Sequence, residues 1–145
     1  MKSVNTMLGA LLGGALMMGS LALPSTAAAM DPLVTPKVVI QVSEGDPATW
    51  NLALNNAKNV QKDVKGAKIE IVAYGPGIGM LKAESEVANR VSEAVDSGVK
   101  VVACGNTMKG QKLTKEDMNS KIGYVQAGVV ELMDRQMEGY AYIRP

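Results

Sequence analysis

From Lys37 onward, short apolar runs alternate with longer stretches in which apolar residues return every third or fourth position. Lys37-Val-Val-Ile-Gln-Val42 is β-branched and almost continuous, the pattern of a strand covered on both faces. Asp46 before Pro47 then offers a capping acceptor and a first helical residue whose missing N–H costs nothing. Trp50, Ala53, Leu54, Ala57, Val60 and Val64 recur at helical spacing until Lys65-Gly66 closes the helix. Lys68-Ile-Glu-Ile-Val-Ala73 predicts a second strand, and Val87, Val91, Ala94 and Val95 a helix that stops at Gly98. Val99 to Cys104 predicts the third strand, Met108 to Gly110 a short helix, and Thr114 with Asp117 a capped helical turn. Ile122 to Val125 reads as a fourth strand, and Ala127, Val130, Leu132, Met133 and Met137 as a last helix through about Glu138. Gly139 to Arg144 alternates its side chains as a fifth strand, with Tyr140 and Tyr142 on one face. This order predicts an α/β chain: a three-layer α/β/α sandwich on a mostly parallel five-stranded sheet, flavodoxin-like in architecture.

The N-terminal pattern is different. Met7 to Leu23 is apolar, stands behind Lys2, and is closed by Pro24 and the small residues Ala27-Ala28-Ala29. Those parts in that order predict a secretory signal over residues 1–29, cut after Ala29 or one residue earlier. An uncleaved anchor is the competing reading. The stretch is shorter than the roughly 20 apolar residues of a span, and Gly9, Gly13, Gly14 and Gly19 dilute it. No cysteine follows it closely, so a lipid-modified N-terminus is excluded. Residues 30–37, with Pro32 and Pro36, read as an extended leader, and residues 38–145 as one domain. The expected location is periplasmic or secreted, with no membrane attachment after cleavage.

Lys2 is the only charge before Met30, so the 15 basic and 14 acidic residues leave the mature part neutral. A neutral surface with one Trp, four Tyr and no Phe neither steers nor stacks nucleic acid. The chain has no histidine, which excludes Ser-His-Asp and Cys-His pairs and most zinc sites. Met80, Met108, Met118, Met133 and Met137 are dispersed along the apolar stripes and read as core filler rather than soft-metal ligands. No metal and no organic cofactor are expected.

Two features fall at carboxyl ends of strands, where open α/β sheets gather functional groups. Cys104, the single cysteine, ends the third strand, and helix-start signals at Asn106 and Thr107 aim backbone N–H groups at its sulfur. Partial positive charge there favours thiolate over thiol. Cys104 reads equally well as a small hydrophobe finishing a buried strand. The exposure of its sulfur separates these readings: an inaccessible side chain facing the core would sink the thiol role. Tyr74-Gly-Pro-Gly-Ile-Gly79 is a glycine-rich turn that follows the second strand. It lacks a dinucleotide or Walker spacing, and reads as a shaped turn beside the cysteine, with Gly75 and Gly77 as candidate binding positions.

Val-Ala-Tyr-Gly-Pro-Gly-Ile (72 to 78), Ala-Cys-Gly-Asn-Thr-Met (103 to 108) and Gln-Ala-Gly-Val-Val-Glu-Leu with Gly-Tyr-Ala-Tyr-Ile-Arg-Pro near the end together resemble the DsrE/DsrF-like family. The resemblance implies a homo-oligomer, commonly a trimer or hexamer, linked to sulfur metabolism through donor and acceptor proteins. It implies that Cys104 accepts sulfur as a persulfide, at most a sulfur-transfer carrier's activity, with backbone N–H groups of Gly105, Asn106 and Thr107 holding the sulfur; the side chains of Asn106 and Thr107 read rather as caps of the following helix. The cysteine's neighbours depart from those of the well-understood relay subunits. The competing class is a non-enzymatic assembly module with a buried cysteine and a small-ligand pocket between subunits at Gly75 to Gly79.

Overall fold

A computed structural model describes residues 34–145; the expected signal and most of the leader lie outside the described residues. Five strands form one sheet in the order β4-β3-β2-β1-β5, and every pairing is parallel. They are β1 (Lys37–Val42), β2 (Lys68–Ala73), β3 (Lys100–Cys104), β4 (Gly123–Val125) and β5 (Ala141–Ile143). The helices are α1 (Pro47–Asp63), α2 (Ala88–Asp96), α3 (Gly105–Gly110) and α4 (Gly128–Met137). Asp46 caps α1 through its Oδ1, which accepts from the Thr49 N–H at 2.9 Å. Thr114 and Asp117 form the expected capping box.

The path explains the layers. From β1 to β4 the chain steps one strand at a time in one direction, and right-handed crossovers put the intervening helices on one face. The last crossover returns from β4 over the whole sheet to β5, which puts α4 on the other face. The two faces are therefore covered unequally. Towards α1 and α2 lies the large core, with Ile40, Val42, Trp50, Leu54, Ile71, Met80, Val91 and Val101. Towards α4 the buried cluster is only Val39, Val72, Val102 and Leu132, edged by Tyr74, Val125 and Tyr140.

Three sequence readings change. Gly75 to Gly79 is not an open turn but the start of a 3₁₀ helix, Gly75–Leu81. Its Ile78, Met80 and Leu81 are fully buried, because their apolar side chains plug the end of the main core. The helix after β3 begins at Gly105, three residues earlier than Met108, because Cys104 itself is the N-cap. Met80, Met108 and Met118 are core filler, but Met133 and Met137 are exposed, at 53% and 80%. The inward side of α4 is taken by Gly128, Leu132 and two charged residues, which turns its methionines and Val129 and Val130 outward.

Candidate functional site

Adjacent β3 and β4 send their chains to opposite faces of the sheet, β3 to α3 and β4 to α4. Such a divergence opens a crevice at the strands' carboxyl ends. Cys104 sits at its edge, paired with Val125 of β4 in the sheet register. Strand alternation turns its side chain to the α4 face, one step beyond Val102.

The sulfur is buried, and Cys104 is only 5% exposed. It belongs to neither apolar cluster. Its Sγ accepts from the Thr107 N–H at 3.4 Å. Burial raises the thiol pKa, but the Thr107 hydroxyl and the N–H groups of Gly128, Thr107 and Asn106 outweigh it and hold the thiol below its ordinary value. The hydroxyl is set up for this. Thr107 Oγ1 accepts from the Gly75 N–H at 2.9 Å, which leaves its own proton free to be donated. Gln111 Nε2 donates to the Gly75 carbonyl at 3.2 Å and ties the same junction.

Gly75 and Thr107 are thus brought together beside Cys104. Gly77 serves packing: a Cβ there would lie 2.2 Å from the Val42 carbonyl oxygen, so no side chain fits. Gly105 lies against the β4–α4 connection, where a Cβ would be 3.2 Å from the Val125 oxygen. The Asn106 N–H donates to the Gln126 carbonyl at 3.1 Å, and its side-chain oxygen accepts from Gln126 Nε2 at 3.0 Å. Asn106 therefore fastens α3 to the β4–α4 connection. Gly128, absent from the sequence-derived set, closes the site from above. A Cβ on Gly128 would stand 3.1 Å from Tyr74 and 3.3 Å from the Cys104 Cβ. The glycine lets the first turn of α4 rest on the cysteine.

A second cluster escaped the sequence reading. Glu70, in the middle of β2, is 1% exposed on the α4 face. Lys100 of β3, its register partner, places Nζ 3.0 Å from Glu70 Oε1 and 3.0 Å from Glu131 Oε1. Arg135 of α4 brings Nε to 3.6 Å from Glu70 and 3.3 Å from Glu131. Burial and the neighbouring Glu131 carboxyl, opposed by Lys100, push Glu70 up to about 7. Glu131 itself is held below the usual carboxylate range, its own burial outweighed by Glu70, Lys100 and Arg135. The sequence did carry a signal: an acid inside an otherwise apolar parallel strand, with a lysine opening the next. Among the described residues no group of three or more metal-ligating side chains gathers, and no helix is long and apolar enough to cross a membrane.

An all-parallel α/β sandwich with one capped thiol at the divergence of two strands defines a small thiol-bearing α/β domain. Residues 36–145 match the DsrE/DsrF-like family, and the chain belongs to it. A protein of unknown function from Methanobacterium thermoautotrophicum is similar at 35% identity and a TM-score of 0.74, over 76% of this chain and 99% of that one. A conserved protein of unknown function from Bacteroides thetaiotaomicron shares the fold at 17% identity and a TM-score of 0.64, over 75% of this chain and 94% of its own. None of the curated proteins compared matches the chain.

Proposed function

We propose that the chain is exported, loses residues 1–29, and works as a homo-oligomeric sulfur carrier through Cys104. The observation that carries this reading is the Thr107 N–H donated to the Cys104 sulfur at the capped end of β3, in surroundings that hold the thiol below its ordinary value in spite of burial. The Cys104 thiolate attacks the outer sulfur of a donor persulfide. A new S–S bond forms as the donor's breaks, the donor leaves as a thiolate, and Cys104 holds the sulfur as a persulfide with no net redox change. An acceptor thiolate removes the sulfur by the same exchange in reverse. Membership of the sulfur-relay-related family supports the reading. The 5% exposure of Cys104 requires the cover above it to move for each transfer.

Intact-mass measurement after incubation with a persulfide donor tests it, with Cys104→Ser as control. A gain of one sulfur in the wild type alone is expected; no adduct from several donors overturns the carrier role. That second outcome favours an assembly module with a structural cysteine, the reading to which the burial of Cys104 also lends weight. Either reading uses an oligomer, and the outward side of α4, with Val129, Val130, Met133 and Met137 exposed, is the apolar surface available for it.

A further inference from the structure

The cover over Cys104 has an identifiable fastening. Besides Gly128, α4 buries one residue, Leu132, in the small cluster with Val39, Val72 and Val102. Much of the remaining attachment is ionic: Glu131 and Arg135 of α4 reach Lys100 of β3 and Glu70 of β2. Both Glu70 oxygens are buried and meet no well-aligned donor. An ionised carboxylate in that position is poorly satisfied and faces a second one on Glu131. A protonated Glu70 instead gives Glu131 a hydrogen bond and leaves Lys100 and Arg135 to neutralise the single remaining charge.

We propose that α4 is a proton-latched lid over Cys104: a proton shared by Glu70 and Glu131 holds the helix down, and its loss lets the first turn of α4 lift from the sulfur. This rests on the reading of Cys104 as the working thiol, and names how access to it is regulated. The sign follows from linkage. Lifting α4 removes Glu131 and admits water, which returns Glu70 towards ordinary carboxylate behaviour. A proton held more tightly with the lid closed than open favours opening as it leaves. Other charged groups lie around the cluster. Lys37 of β1 donates to the Glu138 carbonyl and lies 5.6 Å from the Tyr140 ring, Arg135 stacks on the same ring, and Glu138 pairs with Arg135.

Amide hydrogen exchange on the folded chain between pH 5 and 8, corrected for intrinsic rates, reads the lid directly. The opening constant of the Leu132 to Met137 amides should rise between pH 5 and 7, by at most about tenfold per pH unit, and level off above. The β2 amides serve as reference and should not follow. Glu70→Gln, which mimics the protonated acid, should give a low, flat profile. A flat wild-type profile overturns the proposal, as does a Glu70→Gln slope equal to that of wild type. If Glu70→Gln fails to fold, the wild-type profile decides alone, and Glu131→Gln, which removes the anionic half of the pair, should reduce the slope. Exchange does not depend on sulfur chemistry, so a chain that takes no persulfide can still show the latch, and a chain without the latch can still take sulfur.

Discussion

Thr107 is the residue on which the electrostatics of Cys104 turn. Its hydroxyl both receives the Gly75 N–H and faces the sulfur. Thr107→Val keeps the shape and removes that donor. The Cys104 pKa should rise, measured as thiolate absorbance against pH, and the orphaned Gly75 N–H should cost about 1–2 kcal/mol in urea denaturation. Gly128→Ala tests the cover from the other side. The added methyl meets Tyr74 and the Cys104 Cβ at 3.1 and 3.3 Å. Loss of about 1–2 kcal/mol of stability, together with faster alkylation of Cys104 at a fixed pH, is the expected pair of results. Cys104 itself was legible in the sequence as the end of a strand facing helix-start signals. Gly128 was not, because a glycine needed for close approach leaves no mark until the surface it approaches is known. Asn106 was legible as part of the loop, but its partner Gln126 lies across the crevice and could not be inferred from local spacing.

At the scale of elements, periodicity reported α1 and the first three strands well because each buries a face against a large core. It misreported α4. There the apolar residues Val129, Met133 and Met137 recur at helical spacing yet face outward, while Glu131 and Arg135 face in. The pattern specifies a helix either way; which side meets the sheet depends on Lys100 and Glu70, which are distant in sequence. The outward stripe belongs to assembly in the proposed function. Met133→Lys with Met137→Lys should lower the molecular mass measured by light scattering to that of one chain, with the α-helical circular dichroism unchanged. The 3₁₀ helix after β2 was read as a loop because glycine and proline are turn formers; Ile78, Met80 and Leu81 override that preference by filling the core. Gly77→Ala places a methyl on the Val42 carbonyl and should abolish cooperative folding, seen as loss of the thermal transition.

For the molecule as a whole, the fold was legible to the level of layers and strand direction, and the Glu70 cluster was not. It exists only because the register pairs Glu70 with Lys100 and the last crossover brings α4 back over both. Its consequence for stability has a definite sign. The Glu70 pKa rises on folding from 4.5 to about 7, so the folded chain holds a proton that the unfolded chain releases. The stabilisation is present in full below pH 4.5 and is lost as pH rises to about 7. Urea midpoints of wild type should therefore fall relative to those of Glu70→Gln between pH 5 and 7.5, and equal slopes would contradict the assignment. The lowered thiol pKa of Cys104 works in the opposite sense, adding stability above the ordinary thiol value and losing it as pH falls through its folded value.

The first strand also has a history in time. β1 pairs with β2 along its full length, but its other edge meets β5 only through Val38 with Ala141, Val39 with Tyr142 and Ile40 with Ile143. The first side is closed by a neighbour about 30 residues on, the second by residues some 100 positions away. Loop closure over that distance comes late. Until residues 141–143 are synthesised, the apolar, β-branched edge of β1 stays open to any passing strand. Nascent or C-terminally clipped chains thus carry the aggregation hazard that the finished molecule hides, and a chaperone holding such chains would find its target at β1.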